Sequence, residues 1–517
     1  MDFAAELDRF DPDPRLREWV LAQIRARDTS QQAALAARDA DIQARDLKIQ
    51  KLILELAHHK RIRFGTKSET LSLDQRHLFE EACDEDGAAI VAELEQQQAA
   101  PKTKSRPKPT GRKPLPPELP RIEHRHEPDS CQCGKCGTGL VLIGEDISEQ
   151  LDVEPARFFV HRHIRPQYAC RACETVTAAP VPPAIIDGGL AAPGLHAWVL
   201  IQKYLDHQPL YRIERITERH GVPIARSTLA EWVGRLGVAL QPLVDRLIIL
   251  LKQGAVLHTD ETPVQQLDPG KGKTKRAYLW AYRSNDLDPG PRIVVFDYQT
   301  SRAGKHAMAF LDGWNGQLLV DDYGGYKQLF RQGISELGCF AHARRPFFEL
   351  YANHQHPVAG EALRRIGELY AVEASVKDAT VEARHAYRRQ EAVPRLKELH
   401  DWLLTQRART ATGSALAKAI DYSLKRWQAL IRYADSGNLP IDNNVCENNI
   451  RPIALGKKNW LFTGSARAGT RAAAIQSLLA TAQLNGIEPY AWLRDALEKL
   501  PVWPYSRIDE LLPIKLK

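Results

Sequence analysis

Five apolar runs, separated by two helical stretches, lie between residues 255 and 340 and restrict the fold more than any other feature. The runs are rich in aromatic and β-branched side chains, which is typical of strands. The predicted order is strand, strand, strand, helix, strand, helix, strand, and it indicates a mixed α and β domain. The first strand is expected to end at Asp260. The others are predicted at 276–283, 292–298, 316–321 and 334–340, with the first helix at 303–313.

Three acidic residues stand at the ends of these elements. Asp260 and Asp321 each follow an apolar run, and Glu447 lies just inside a helix start signalled by Pro440. The order of elements resembles the ribonuclease-H-like fold, in which the first and fourth strands are neighbours and a later helix approaches them. Converging carboxylates repel one another and are costly to bury. Because their oxygens suit Mg²⁺, we expect a metal site here.

Other acids nearby are alternatives to these three. Glu261 and Asp322 directly follow the two aspartates, and Glu336 and Glu349 are rivals for the third position. A single acid at a strand end is commonly a solvated turn residue, so only the combination indicates a site. Asp260 and Asp321 are preferred because they are expected to close their strands directly.

Composition sets the broad class of the protein. The chain has 517 residues, 71 basic and 64 acidic, and a net charge of +7. This length predicts about three or four domains. No apolar run approaches ~18 residues, so neither a membrane helix nor a membrane partner is expected. The N-terminus, MDFAAELDRF, is acidic and unlike a signal peptide, which indicates a cytoplasmic protein that faces nucleic acid.

The first 125 residues are predicted to form an arm and a linker. In the arm, residues 1–100, apolar residues recur every seven positions from Leu35 to Leu56, a pattern typical of a coiled coil that self-associates. The alternative is a helix that packs on its own domain. The linker, 101–125, has seven prolines and seven basic residues among positions 101–121, so it is extended. Its charges either contact phosphates or serve solubility alone.

Residues 126–185 carry the most specific motif of the chain, two C-x2-C pairs that are separated by 33 residues. Such pairs form tight turns, and four thiolates complete a closed tetrahedral site, so we expect a zinc ribbon with structural Zn²⁺. Cys131 is an alternative to Cys133, and His161 and His163 are expected at the surface or facing phosphate. The predicted ligands are Cys133, Cys136, Cys170 and Cys173.

Residues 190–250 predict three helices in a helix-turn-helix arrangement. Thr228 with Glu231 predicts a capping box at the start of the third helix, where a recognition helix contacts base edges. A catalytic domain is predicted at 251–470, with a helical insertion at about 345–436, and a C-terminal helical module at 471–517. The candidate DNA-binding residues of the third helix are Arg226, Ser227, Thr228 and Arg235.

Several long motifs resemble one family. They include HTDETP at 258–263, VDDYGGY at 320–326, GCFAHARRPF at 338–347 and IDNNVCENNIRPIALGKKNWLFTGS at 441–465. With RFGTKSE at 63–69 and the two cysteine pairs, nearly the whole chain is similar to the large DDE transposases of insertion-sequence family sixty-six. The implied architecture is multidomain α+β: a ribonuclease-H-like core with a helical insertion, preceded by a coiled-coil arm, zinc ribbon and helix-turn-helix.

The resemblance implies a chemistry. Asp260, Asp321 and Glu447 would be the DDE triad and hold two Mg²⁺ ions per site, which Mn²⁺ can replace. They would cut DNA at the element's ends and transfer the freed 3′-OH to target DNA. Asp322 stands where the family usually has glycine, so whether it substitutes for Asp321 stays open. Cys339 and His342 resemble a motif in the cores of several DDE enzymes, and a buried structural role is expected for them.

The partners follow from the same resemblance. They are double-stranded DNA, at least one further copy of the chain, and small accessory proteins of the same element. Rival interpretations are a DNA-binding regulator without chemistry, a nuclease without strand transfer and a structural scaffold. Five basic residues are expected to contact phosphates, with a solvated basic surface as the alternative: Arg344, Arg345, Arg451, Lys457 and Lys458.

Overall fold

The computed structural model describes residues 84–86, 88–89, 92, 115, 117, 119–127, 132, 138–139, 141–154, 157–268 and 273–515. The chain divides into two units, and of the first, Met1–Glu69 with Ala89–Pro109, only Ala89 and Ala92 are described. Every element below belongs to the second, Thr70–Ala88 with Thr110–Lys517. The predicted coiled coil and most of the linker lie outside the described residues.

A small four-stranded sheet occupies the region of the predicted zinc ribbon. Its centre is a long antiparallel hairpin of β2 and β3, and β1 pairs with β3 in parallel. β2 is one continuous strand of 14 residues. The strands are β1 Arg121–Arg125, β2 Val141–Glu154, β3 Arg157–Ala169 and β4 Val176–Ala178.

The three helices predicted at 190–250 are confirmed as α1 Pro193–Tyr204, α2 Leu210–Arg219 and α3 Arg226–Leu251. The capping box is wrong, because α3 begins two residues before Thr228 and its N-cap is Ala225, without a side-chain cap. The carboxylate of Glu214 accepts a 2.9 Å hydrogen bond from the Arg226 backbone N–H. Tertiary contact therefore replaces local capping at this helix start.

A five-stranded sheet follows, with the order β7-β6-β5-β8-β9. The first three strands are antiparallel neighbours, whereas β5–β8 and β8–β9 are parallel. The predicted adjacency of the first and fourth strands is confirmed. Asp260 does not close its strand as expected, since β5 continues to Asp268. The strands are β5 Val256–Asp268, β6 Lys273–Ser284, β7 Val294–Gln299, β8 Gln317–Val320 and β9 Ser335–Gly338.

Both faces of this sheet are covered. Alternate residues such as Leu257, Trp280 and Leu318 share one core with α3 and the other helices of the three-helix region. On the opposite face, Val264 and Leu279 pack with the helix that carries Glu447. The remainder of that face packs against the helical insertion. Burial of alternate side chains on both faces agrees with the strongly apolar sequence of the strands.

The remaining elements of the described chain are mainly α-helices. None of the helices among the described residues is long and apolar enough to cross a membrane. Between the strands lie α4 Lys305–Phe310 and α5 Lys327–Arg331. The insertion comprises α6 Phe340–His354, α7 Pro357–Ser375, α8 Val381–Tyr387, α9 Val393–Ala408, α10 Ala415–Lys425 and α11 Trp427–Ile431. The C-terminal helices are α12 Asn444–Trp460, α13 Ala466–Leu484 and α14 Pro489–Lys499.

Helix α13 belongs to the sheet as well as to the C-terminal region. Its Ser477 and Thr481 hydroxyls accept hydrogen bonds from the backbone N–H groups of Phe296 and Val294. These bonds provide acceptors for two backbone N–H groups at the outer edge of β7, which is the last strand in the order of the described sheet. The helix runs across residues 470 and 471, between which the sequence places a domain boundary.

Candidate active site

The two aspartates of the predicted triad lie where two parallel strands meet. Asp260 is the fifth residue of β5, and Asp321 directly follows β8. The last parallel pair of these strands joins His258 to Leu319. Continued by two residues along both chains, this register sets Asp260 opposite Asp321.

Asn443 ties the start of α12, and with it Glu447, to the sheet. Its side-chain amide donates a 2.9 Å hydrogen bond to the Thr259 carbonyl, and its Oδ1 lies 3.0 Å from Nδ1 of His258. Its backbone N–H donates to Sγ of Cys339 at 3.2 Å. Asn443 is 1% exposed. The sequence analysis missed this residue, although asparagine next to a helix start is a common N-cap signal.

The electrostatics of Asp260 show that the three acids share one environment. The pKa of Asp260 is raised to about 7, and burial is the largest cause. The carboxylates of Glu261, Asp321 and Glu447 contribute to this rise, while the Glu261 N–H, which donates to Asp260, opposes it. Such a cluster is unfavourable by itself and becomes favourable when a cation is shared.

Glu447 has two partners on α6. Its Oε1 lies 3.6 Å from Nδ1 of His342, and its Oε2 lies 3.6 Å from the Arg345 guanidinium. Donor atoms of Cys339, His342 and Glu447 all lie within 4.8 Å of one another. Burial raises the pKa of the Cys339 thiol to about 12, and its sulfur accepts the Asn443 backbone N–H. The contacts with His342 and Arg345 orient the Glu447 carboxylate.

The acids adjacent to the two aspartates have partners of their own. Glu261 accepts a 2.8 Å hydrogen bond from the Tyr326 hydroxyl, and its side chain is 1% exposed. Asp322 forms a 2.6 Å ion pair with Arg426. Asp321 accepts a bond from the Tyr323 backbone N–H in its own turn. The contacts therefore favour Asp321 over Asp322 as the acid that faces Asp260.

The two rivals for the third position are also separated by their surroundings. Glu336 forms a 2.8 Å ion pair with the same Arg426 that binds Asp322. Glu349 is exposed on α6. Glu447 is among the carboxylates that raise the pKa of Asp260 most. This arrangement favours Glu447 as the third acid.

The candidate basic residues of α12 differ in their exposure. Arg451 and Lys458 are exposed, and with Asn448 and Leu455 they form one outward stripe of the helix, spaced by three or four residues. Lys457 is half-buried and donates a 3.0 Å hydrogen bond to the Pro263 carbonyl of β5. Arg451 and Lys458 are thus available to phosphates, whereas Lys457 holds α12 against the sheet.

The candidate arginines of α6 are already engaged. The Arg344 guanidinium lies 5.4 Å from the centre of the Phe348 ring. Arg345 is more than half exposed and pairs with Glu447. A phosphate near the site would compete with Glu447 for Arg345.

The four candidate residues of α3 lie along its first three turns. Ser227 is exposed, and Arg226 and Thr228 are half-buried. The Arg235 guanidinium lies 3.2 Å from Glu231 in a pair along the helix. The start of α3 is thus accessible, while Arg235 is partly committed to its own helix.

The second cysteine pair lies in a hydrogen-bonded turn. Cys170 and Cys173 lie in the turn between β3 and β4. In this turn the Cys170 N–H donates to the Thr175 carbonyl and the Glu174 N–H donates to the Cys170 carbonyl. Cys170 is buried and Cys173 half-buried, and neither forms a disulfide. The turn fits a pair of thiolate ligands.

The first cysteine pair, with the alternative Cys131, lies outside the described residues. Gln132 and Gly139 flank Cys133 and Cys136, and they form an antiparallel bridge.

The histidines of β3 belong to a hydrogen-bonded array with neighbours on β1. His161 lies 2.9 Å from the Asp152 carboxylate and 2.7 Å from His124. His163 lies 3.0 Å from His126, and the rings stack. Their ring nitrogens are engaged with one another, so the array stabilises the small sheet. The prediction that His161 and His163 face phosphate has no support in these contacts.

Comparison with known proteins agrees with this architecture. A family model described as "Transposase IS66 family" matches residues 188–471. Further models match the flanking regions: "zinc-finger binding domain of transposase IS66" at 130–174, "IS66 C-terminal element" at 477–514 and "Transposase C of IS166 homeodomain" at 51–123. A transposase class of DNA-processing protein is therefore indicated, with a zinc-finger domain and DNA as a partner. The chain belongs to the IS66 transposase family.

Two of the relatives match almost the full chain, and a third matches a short segment. "Uncharacterized protein y4jD" of Sinorhizobium fredii (strain NBRC 101917 / NGR234) is 35% identical over 494 residues, which covers 92% of this chain and 96% of the relative. "Uncharacterized protein y4qI" of the same organism is 34% identical over 519 residues, with 96% and 95% covered. "Uncharacterized protein YjgZ" of Escherichia coli (strain K12) is 55% identical over 31 residues, or 6% of this chain and 28% of the relative.

Proposed function

We propose that this chain cuts DNA at the ends of an insertion sequence and joins the freed 3′ ends to target DNA, with Asp260, Asp321 and Glu447 as a DDE site on a ribonuclease-H-like core. The observation that carries the proposal is the meeting of three separate elements: the β5–β8 register and the Asn443 bridge bring three carboxylates from distant sequence together. A surface without catalysis would gain nothing from this costly cluster.

The donor set fits Mg²⁺, two ions per site, with Mn²⁺ as a substitute. It consists of carboxylate oxygens, which hard divalent ions prefer. Burial and the neighbouring carboxylates raise the pKa of Asp260, and a bound cation would offset the repulsion among these acids. When bound, such ions supply Lewis acidity that activates water and neutralises a departing 3′ oxygen. Asp260 and Asp321 would be the shared ligands and Glu447 would hold one ion.

The chain's own residues would prepare the site in three ways. Asp260 must give up its proton before it can act as a ligand, and a bound cation favours that loss. His342 and Arg345 hold the Glu447 carboxylate between them, each at 3.6 Å. Arg451 and Lys458 extend from α12 toward solvent, where they would hold the backbone of the DNA end.

Recognition of the element ends would come from the zinc finger and the start of α3. Zn²⁺ held by Cys133, Cys136, Cys170 and Cys173 would fix the small sheet, and base contacts would come from Arg226, Ser227 and Thr228 with support from Arg235. Joining two ends requires two active sites, so at least a dimer is proposed, with the N-terminal arm as a contact. Accessory proteins of the same element would complete the assembly.

The proposal is tested by a cleavage and strand-transfer assay with labelled DNA that carries the element's ends, in Mg²⁺ and with the accessory proteins present. Asp260→Asn and Glu447→Gln should abolish joined products while end binding persists. Glu336→Gln is a matched control and should retain activity. Full joining by either triad variant would refute the assignment of these acids, and cleavage without any joining would favour a nuclease.

The choice between neighbouring aspartates is tested in the same assay. Because Asp322 pairs with Arg426, Asp322→Asn should retain most activity, whereas Asp321→Asn should lose it by about a thousandfold or more, as expected when several kcal/mol of transition-state stabilisation is removed. The reverse pattern would assign the metal to Asp322.

A further inference from the structure

An acidic segment from the N-terminal part of the chain is buried against helices α1 and α13. The Arg471 guanidinium lies 3.1 Å from both Glu85 and Asp86. The Lys203 ammonium lies 2.9 Å from Glu85. Ser465, the N-cap of α13, donates its hydroxyl to Asp86 and accepts the Ala468 N–H. Two carboxylates thus face two cations and the start of a helix.

The groups that hold these carboxylates are the ones that bind phosphate in proteins. A guanidinium binds a carboxylate and a phosphate with the same paired geometry, and a lysine ammonium binds either as a point charge. The start of a helix of 19 residues adds backbone N–H groups and a favourable dipole. Glu85 and Asp86 therefore occupy a site whose chemistry suits a phosphodiester equally well.

The site is built into the fold and is costly to keep charged. Arg471 is 6% exposed, and its stem crosses α3 at Gly237, where a Cβ atom would lie 2.3 Å from Arg471 Cγ. Among the described residues, its Nε has no hydrogen-bond partner. Burial raises the pKa of Asp86, and the charge of Arg471 with the hydrogen bond from Ser465 offsets part of that rise.

The site lies near the end of α12, whereas the candidate active site lies near its start. A cavity lined by Glu85, Lys203, Trp460 and Gly464 joins it to the end of α12. Along α12, Glu447 and Trp460 are separated by 13 residues, which is about 20 Å at the rise of an α-helix. A duplex of about six base pairs spans that distance. A duplex held at the candidate active site and extending past Trp460 would therefore reach this site.

We infer that Arg471, Lys203 and the Ser465 start of α13 form a second DNA-phosphate site, remote from the acids, and that the segment with Glu85 and Asp86 occupies it as a phosphate mimic until DNA displaces it. The inference rests on the proposed function, because it requires that DNA follow α12. Under this inference the chain regulates its own DNA binding, because Glu85 and Asp86 must leave the site before the duplex is fully bound.

The test compares the intact protein with a Glu85→Gln and Asp86→Asn double variant, which keeps side-chain shape and removes both charges. Binding of a fluorescent duplex is measured over a range of salt without added metal. The variant should bind about tenfold more tightly at low salt, and its log–log salt dependence should steepen by about two, one for each released cation. Asp495→Asn with Glu510→Gln is a control matched in charge and should change neither value.

Two further measurements separate displacement from a simple loss of negative charge. Adding Lys203→Gln should remove much of the gain in the double variant but leave the parent protein almost unchanged. Hydrogen exchange at residues 84–88 of the intact protein should rise when duplex is added. An unchanged salt slope, or slower exchange with DNA, would show that the acids are only a structural clamp. If no form of the protein binds duplex, the proposed function itself fails.

Discussion

Asn443 is the residue through which the third acid is tied to the sheet. It contacts His258 and Thr259, which immediately precede Asp260, and also Cys339, three residues before His342. One buried residue thus connects the two elements that carry Asp260 and Glu447. Positioning of this kind is as important to a metal site as the ligands themselves.

Replacing Asn443 by alanine should therefore damage both stability and catalysis. The change removes the hydrogen bonds that Asn443 makes with the buried Thr259 carbonyl and the buried His258 ring, at a cost of about 2–4 kcal/mol in the free energy of unfolding. Joining activity should fall by at least tenfold at temperatures where the variant is fully folded. Urea unfolding and the joining assay measure the two effects, with the exposed Asn459→Ala as a control. A stable, fully active variant would contradict the positioning role.

Because His196 is completely buried, we expect the folded protein to lose stability in mild acid. Complete burial lowers its pKa from 6.5 to about 4. The unfolded chain then binds a proton between these values and the folded chain does not, so stability is present above pH 6.5 and falls as pH decreases toward 4. The full effect is on the order of 3 kcal/mol.

Urea unfolding between pH 4 and pH 7 measures this contribution. His196→Gln should flatten part of the pH dependence, whereas the exposed His354→Gln should not. A slope that is identical in the parent and His196→Gln would show that His196 does not control it.

At the scale of elements, the connection between α1 and α2 bears directly on the catalytic helix. His207 has a left-handed backbone, with φ 56°, and its ring covers Gly456 of α12. A Cβ atom at position 456 would lie 2.2 Å from that ring. Since α12 also carries Glu447, the connection between α1 and α2 directly contacts the helix that holds the third acid of the candidate active site.

A double-mutant cycle at this contact is a direct test. Gly456→Ala should cost about 1–3 kcal/mol in unfolding free energy and reduce joining, because the ring must move or α12 must shift. His207→Gly keeps the left-handed backbone and removes the ring, so it should relieve most of that cost. Equal effects of Gly456→Ala in both backgrounds would mean that the contact does not hold α12.

The molecule as a whole should respond to metal through its candidate active site. A ligand that binds only the folded state raises the melting temperature. Mg²⁺ should therefore raise it for the parent and for Asp322→Asn but not for Asp260→Asn. Because the pKa of Asp260 is raised to about 7, protons compete with metal below that pH, and the rise should be larger at pH 8 than at pH 6. Scanning calorimetry with added Mg²⁺ measures this, and an equal rise in Asp260→Asn would place the ion elsewhere.

Local patterns predicted the order of elements well, because periodicity and turn residues act over a few positions. The resemblance of that order to the ribonuclease-H-like fold predicted that β5 and β8 would be neighbours, and the apolar run before Asp321 predicted that this acid would close its strand. Local patterns could not predict that β5 continues past Asp260, since that extension depends on pairing with β6. They also missed Asn443, whose partner His258 lies 185 residues away. Contacts between distant segments depend on tertiary packing, which short sequence patterns do not contain.

Because of the helical insertion, the ribosome synthesises Glu447 well after Asp260 and Asp321. Between Asp321 and Glu447 the ribosome must add 126 residues (447 − 321), which takes roughly 6–25 seconds at bacterial elongation rates. Throughout that interval the nascent chain already has its zinc finger and three helices but lacks its third acid. A chain that terminates early would retain the parts proposed to recognise DNA and lack those proposed to cut it. Premature termination would thus convert the enzyme into its own competitor for DNA ends.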